Sequence, residues 1–285
     1  MIRSLVRRLV PRAVRNWLRS PRRSLTWVWD EARYRGGLRP ALRLRPGWRL
    51  VCHPTAHRAI QRPQLADSIQ IAELDGFIAT CRPGMVLFDL GAHFGMFSFA
   101  ALHFGGPTSR AVAVDPSAEA VRMLRLGGRL NAVADRLHVV HAAAGERPGW
   151  LDMLPVGVIA DGYYVTPEPD RAASELVRVR AVTVDGLVHE LGVRPTHLKI
   201  DVEGAEAAVL RGARAALGAD PPPLVFLELH NDMTRRAGAD PAAAVSELTA
   251  LGYGFTIPQG ASITAEAATV PAIVRVIARR GDGAS

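Results

Sequence analysis

The sequence predicts an α/β protein with a mostly parallel sheet and helices on both faces. Three observations carry that prediction. A unit of strand, acid, glycine turn and helix runs from Met85 to Phe104. The same grammar returns from His197 to Leu217. Between and after them, short apolar runs alternate with helical spacing, until two final strand-like runs, Tyr253–Ile257 and Ala272–Ala278, follow each other with no helix predicted between them. The last strand is therefore expected to run antiparallel.

The chain divides by charge before it divides by structure. Residues 1–50 hold fourteen arginines against two acids, Asp30 and Glu31. The formal net charge of the whole chain is +8, so residues 51–285 are net acidic and the basic balance belongs to the N-terminal segment. Two units follow: a basic amphipathic segment, 1–50, and a catalytic-type domain, 51–285. Ile2, Leu5, Val6, Leu9, Ala13, Val14, Trp17 and Leu18 recur at helical spacing among arginines, and Trp27, Val28, Trp29 and Tyr34 follow. Such a helix could cover the main domain with its apolar side, lie on an anionic membrane surface through residues 1–35, or track RNA phosphates. No apolar run is long enough to span a bilayer, and the start lacks the apolar core of a signal peptide. Cytoplasmic residence is expected, peripheral at the inner membrane face if the first segment docks there. Cys52 and Cys81 show no metal spacing and no disulfide framework.

Residues 41–64 read as loops and short strands, broken by Pro46, Pro54 and Pro63. Asp67–Thr80 reads as a helix with Ile69, Ile71, Leu74 and Ile78 as its apolar stripe. Met85–Phe88 is a strand buried on both faces, and Asp89 ends it. Gly91 and Gly95 let the backbone turn and approach a ligand. The spacing is Asp-x-Gly-x-x-x-Gly. An acid two residues before the first glycine would repel a pyrophosphate and suits a ligand carrying an amine, such as the amino-acid end of S-adenosylmethionine. This disfavours a nicotinamide oxidoreductase.

Ala111–Asp115 is the second strand, and its terminal Asp115 is placed to grip a ribose diol or, more plainly, to cap the following helix. Leu137–Ala142 is the third strand, and its exit loop with Glu146 would border an adenine. Residues 147–184 leave the strand-helix rhythm: Trp150–Leu154 and Leu176–Val184 read as a β-excursion whose Gly-, Pro- and Tyr-containing tip could cover a substrate. A helix follows at Val184–Leu191. Leu224–Leu229 and Pro241–Leu251 are the next strand and helix.

Four stretches resemble the FkbM family of S-adenosylmethionine-dependent methyltransferases: Phe88-Asp89-Leu90-Gly91-Ala92-His93-Phe94-Gly95, Val114-Asp115-Pro116-Ser117, Leu198-Lys199-Ile200-Asp201-Val202-Glu203-Gly204-Ala205-Glu206 and Phe226-Leu227-Glu228-Leu229-His230. The resemblance covers residues 85–235. It implies a seven-stranded class I methyltransferase sheet and methyl transfer to oxygen on a sugar or another small hydroxylated molecule. His93 stands where the family usually has asparagine, and Asp115 where glutamate is common. On this reading Asp89, Gly91, His93, Gly95, Asp115 and Glu146 face the cofactor, and Lys199, Asp201 and His230 serve the acceptor.

A sugar hydroxyl is a weak nucleophile and calls for a base or a metal. Asp201 and Glu228 sit at the tips of neighbouring strands, so they must share a proton, pair with a cation or bind a divalent ion such as magnesium, with His230 nearby. Lys199 is the only lysine of the chain. A lysine kept inside a strand could lose its proton or hold an ion pair with Asp201 or Glu228, where arginine could do only the second. His230 is a third candidate base. An RNA methyltransferase, prompted by the arginine-rich start, and a non-catalytic binding module are the competing readings.

Overall fold

The computed structural model describes residues 21–156, 162–164 and 176–281. The helix expected over residues 2–18 and most of the tip of the β-excursion lie outside these residues. Helix α1 (Pro21–Arg35) precedes a two-stranded antiparallel ribbon, β1 (Ala41–Arg45) and β2 (Trp48–Val51). Next come α2 (Pro54–Ala66) and α3 (Ser68–Thr80).

Helix α2 corrects the reading of 41–64 as loops and strands only. Pro54 stands in its first turn, where a missing N–H costs nothing, and His53 Nδ1 accepts the Thr55 N–H at 3.1 Å. Pro63 is carried inside the helix near its end. The prolines that suggested breaks therefore mark a helix start and a tolerated interior site. Helix α3 begins where expected, with the Asp67 carboxylate accepting the N–H groups of Ile69 and Gln70. Its buried side differs from the expected stripe: Glu73, Leu74 and Phe77 are buried, while Ile69 is exposed.

The main sheet is built from β3 (Val86–Leu90), β4 (Arg110–Asp115), β5 (Leu137–His141), β10 (His197–Ile200), β11 (Leu224–Leu229), β12 (Tyr253–Thr256), β13 (Ser262–Ile263) and β14 (Val274–Arg280). Its order is β13-β12-β14-β11-β10-β3-β4-β5. Strands β11, β10, β3, β4 and β5 are mutually parallel, and β14 runs antiparallel between β11 and β12. This is the class I methyltransferase order with its antiparallel strand inserted beside the fifth. The sheet has eight strands rather than seven, because the two-residue β13 pairs with the edge of β12. A short helix (Ala265–Ala268) also sits before β14, where no helix was expected.

The connecting helices are α4 (Met96–Phe104), α5 (Ala118–Leu130), α6 (Val184–Leu191), α7 (Glu206–Arg211), α8 (Arg214–Leu217), α9 (Asn231–Arg236) and α10 (Ala242–Thr249). Ser117 and Thr183 cap α5 and α6 through their hydroxyls. The single helix expected to run to Leu217 is two, split at Gly212-Ala213. A side chain at Gly212 would meet the Gly145 carbonyl at 2.2 Å, so the break lets this corner close on the loop after β5. The β-excursion is present: β7 (Gly149–Val156) pairs antiparallel with β9 (Val177–Val182) and with β8 (Gly162–Tyr164), and the two-residue β6 (Ala143–Ala144) pairs parallel with β9.

Two cores flank the sheet. Phe88, Leu90, Val112, Val114, Leu198, Ile200 and Leu227 pack on one side with α6, α7 and α10. Leu87, Ala111, Ala113 and Phe226 pack on the other with α2, α3, α4 and α5. Strand alternation then decides where the polar groups go. Lys199 is level with Asp89 and Phe226 in the parallel register, and so shares their face, the one covered by α2, α3 and α4.

Helix α1 is turned opposite to a cover helix. Asp30 is fully buried and takes hydrogen bonds from Arg58 (2.8 Å) and Thr55 (3.1 Å) on α2. Glu31 pairs with Arg122 at 3.2 Å and with His53 at 3.3 Å. Leu25, Val28 and Trp29 face solvent. Polar groups seat this helix, while the cover-helix expectation for residues 2–18 lies outside the described residues.

Candidate active site

The carboxyl ends of β3, β10 and β11 open into a cavity of about 320 Å³. Asp89, the turn Gly91–Phe94, Lys199, Asp201, Glu203, Glu228 and His230 line it, with Glu73 and Arg275 closing it from α3 and β14.

The glycine turn is held by backbone. Gly91 has φ +80, and a Cβ there would stand 1.8 Å from the Asp201 carbonyl oxygen, so the turns after β3 and β10 touch at this residue. Gly95, also left-handed, opens α4. His93 adopts φ +47, a conformation that asparagine and histidine accept more readily than most residues. That accounts for histidine standing at a position where the family usually has asparagine. Its N–H donates to Asp115 at 2.8 Å, and its ring stacks on Phe94.

Asp89 is buried and accepts from the Ser98 N–H (3.1 Å) and hydroxyl (2.6 Å). Burial pushes its carboxyl up to about 6, against the pull of Ser98 and Lys199. Asp115 is buried too, accepting from His93 and from the Ser117 N–H at 2.8 Å. Burial pushes it up to about 7. Asp115 does not line the cavity; it reaches the turn through the His93 backbone. Glu146 lies apart from the cavity, exposed enough to pair with Arg211 at 2.8 Å.

On the acceptor side the charges are interlocked. Lys199 Nζ stands 3.1 Å from Glu73, 3.7 Å from Asp201 and 3.8 Å from Glu228, over the face of Phe97. Burial works against its charge, but Glu73, Asp201 and Glu228 outweigh burial and hold its pKa above the usual lysine range. These carboxylates favour a charged Lys199 over a neutral base. Sequence reading also missed the closest partner, Glu73.

Glu228 and Arg275 are register partners across β11 and β14, and the Arg275 guanidinium donates to Glu228 at 2.6 Å while pairing with Glu73 at 3.0 Å. Burial and the nearby Asp201 push Glu228 up to about 7. Burial also acts on Asp201, but Lys199, then His230, Glu228 and Arg275 hold its carboxyl below the usual range. Both carboxylates have a cation beside them: Asp201 has Lys199, and Glu228 has Lys199 and Arg275.

His230 is 2.9 Å from Glu206 through Nδ1, and Nε2 faces Glu203 at 3.5 Å and Asp201 at 3.8 Å. Burial disfavours its charge, but the Glu206 hydrogen bond and the carboxylates raise it to about 9. The carboxylates around it thus favour the imidazolium, a form that must lose its proton before the ring could act as a base. The metal reading also shifts. Glu228 is engaged by Arg275, and among the described residues the group whose ligand atoms lie within 4.8 Å of one another is Asp201, Glu203 and His230.

The methyltransferase FkbM domain model matches residues 89–255. This chain belongs to the FkbM methyltransferase family. The 31-O-demethyl-FK506 methyltransferase FkbM of Streptomyces tacrolimicus is 31% identical over 210 residues, which cover 62% of this chain and 74% of that protein. The solved FkbM methyltransferase of Methylobacillus flagellatus superposes with a TM-score of 0.45 at 16% identity, over 79% of this chain and 58% of that one. An O-methyltransferase of Bacillus cereus, solved in complex with SAH, superposes with a TM-score of 0.43 at 11% identity, over 79% and 89% of the two chains. The glycine turn, the acids and the Lys-Ile-Asp-Val-Glu-Gly block of this FkbM methyltransferase all fall inside the matched domain, as does His230. Glu73 and Arg275 lie outside it, on the flanking elements.

Proposed function

We propose that this protein moves a methyl group from S-adenosylmethionine to a hydroxyl of a small molecule, a sugar or glycoconjugate. The observation that carries the proposal is the sharing of one cavity by the glycine turn with Asp89 and by an ionised Asp201 backed by Lys199. The relative's name, which specifies an O-demethyl substrate, supports oxygen as the acceptor atom.

The residues present fit the cofactor. A buried carboxylate at the turn suits the amine of the methionine end, and carboxylates around the cavity favour a cation there. Asp115 retains lone pairs beside its two backbone donors and suits the ribose diol. When bound, S-adenosylmethionine supplies an electrophilic methyl with sulfur as leaving group. Asp201, about one-third exposed, orients the acceptor hydroxyl and takes its proton as the new C–O bond forms. The proton then rests on the Asp201 carboxyl, beside Glu228. Lys199 fixes the orientation of Asp201 and remains charged throughout. Protonated His230 supplies positive charge to Asp201 and Glu203, so this reading requires no metal.

The test is transfer of tritium-labelled methyl from S-adenosylmethionine across sugars, nucleotide sugars and glycolipids, with calorimetry of S-adenosylmethionine, SAH and NAD. Label recovered in a base-stable ether is expected. Saturable binding of NAD alone would reject the proposal.

A further inference from the structure

Helix α1 carries an arrangement that the catalytic reading leaves unused. Leu25, Val28 and Trp29 are spaced to share one helix face, and they are 56%, 49% and 63% exposed. The opposite side is pinned: Asp30 to Arg58 and Thr55, Glu31 to Arg122 and His53, and Trp27 Nε1 to Glu119 at 3.4 Å. A helix kept only to shield a core would bury its apolar side. Here ion pairs hold it in one orientation, with leucine, valine and tryptophan outward.

The surroundings say what that face meets. Exposed Arg33 and Arg35 end the helix. Residues 1–20 add six arginines and no acid. Apolar and aromatic side chains beside concentrated positive charge match the boundary of an anionic bilayer: the apolar groups enter the acyl region, tryptophan rests at the headgroup level and arginines meet lipid phosphates. RNA would use the arginines and could stack on Trp29, but it gives Leu25 and Val28 nothing to do. A second copy of this chain would bring two strongly basic segments together. The pinned side of the helix rests on α2, whose Ala59, Ile60 and Pro63 line the cavity.

We propose that α1 is an interfacial anchor that seats the protein on anionic lipid surfaces through Leu25, Val28 and Trp29, with the N-terminal arginines supplying charge.

The experiment is co-sedimentation of the full chain with vesicles of phosphatidylcholine alone or with one-quarter phosphatidylglycerol. The arms are the wild type, a triple variant (Leu25→Ser, Val28→Ser, Trp29→Ser) and a charge variant (Arg33→Glu, Arg35→Glu). Circular dichroism and S-adenosylmethionine binding serve as folding controls. Wild type is expected to sediment with anionic vesicles and remain in solution with phosphatidylcholine alone. The triple variant should bind on the order of tenfold more weakly with its fold unchanged, and the charge variant should also weaken. Equal sedimentation of wild type and triple variant overturns the proposal, as does a wild type that ignores anionic vesicles. Tighter binding of wild type to single-stranded RNA than to vesicles, unchanged in the triple variant, would assign the segment to nucleic acid instead. A wild-type dimer that the triple variant converts to monomer would assign the face to self-association.

Discussion

Lys199 Nζ stands 3.1 Å from Oε1 of Glu73, joining the middle of the sheet to a helix that lies outside the matched methyltransferase domain. Glu73 binds Arg275 with its other oxygen at 3.0 Å, so one buried carboxylate steadies both cations of the acceptor side. Glu73→Gln removes that charge while keeping shape. Leaving two buried cations short of a partner is expected to cost roughly 3–5 kcal/mol of stability, read from denaturant unfolding. Lys199→Arg keeps the charge but not the geometry, and methyl transfer should fall on the order of 100-fold with S-adenosylmethionine binding nearly intact. Near wild-type turnover in Lys199→Arg would show that any cation serves.

Gly91 offers a sharper structural test. Its φ of +80 and the Asp201 carbonyl at 1.8 Å from a built Cβ leave no room for alanine. Gly91→Ala should push the turns after β3 and β10 apart. Calorimetry should then show loss of S-adenosylmethionine binding, and Asp201 should lose its alignment as well. A variant that binds the cofactor normally would mean the turns are not mechanically joined.

Much of this site is legible in the sequence, and what is not has a physical reason. Strand tips can be read because buried apolar runs end abruptly in acids, as at Asp89, Asp115, Asp201 and Glu228. The register of parallel neighbours then brings Asp89 and Lys199 level. Glu73 leaves no such trace. An acid within a helix reads as a solvated side until the cations that bury it are known, and these arrive from β10 and β14. Arg275 is hidden for the same reason, as one of many arginines, until the antiparallel pairing sets it opposite Glu228. The polar seating of α1 also depends on distant partners, Arg58 and Arg122. Charge states follow suit: the sequence names His230, but Glu206 at 2.9 Å, with Glu203 and Asp201, is what favours its charged form.

Asp115 and Glu146 should part company in binding measurements. Asp115 is buried and holds the His93 and Ser117 N–H groups. Asp115→Ala should weaken S-adenosylmethionine binding at least about tenfold by loosening the turn and removing the diol partner. Glu146 is paired with Arg211 away from the cavity. Glu146→Ala should change affinity less than about twofold. Equal losses from the two variants would place the adenine against Glu146 after all.

Stability should decline toward alkaline pH. Burial raises Asp89 to about 6 and Asp115 to about 7, and burial with Asp201 raises Glu228 to about 7. The folded state binds more protons than the unfolded chain at these groups, so stability falls as pH rises from about 4 through 7. His230, raised to about 9, contributes stability that is fully present below about 6.5 and lost as pH climbs through 9. Asp201, held low, opposes this only in acid. His197, pushed down to about 4 by burial, opposes the decline below about pH 6.5, so melting temperature is expected to fall from pH 7 to 10. A plateau across pH 7–10 would show that His230 is not held charged by its carboxylates.

His230 decides whether the acceptor side works through a proton or a metal. Its Nε2 faces Glu203 and Asp201, and its Nδ1 is bound to Glu206, so the ring is oriented in either case. With the ring raised to about 9, the proton already supplies the positive charge that the carboxylates require at neutral pH. Methyl transfer should therefore survive chelation and dialysis within about twofold, and should fall on His230→Ala by on the order of 100-fold. Glu206→Gln removes the strongest partner of the proton, so the alkaline limb of the pH–rate profile should move to lower pH while its acid limb stays in place. Activity abolished by chelator and restored by magnesium or manganese would instead assign Asp201, Glu203 and His230 to a cation, with Glu206 as the carboxylate that orients its histidine ligand.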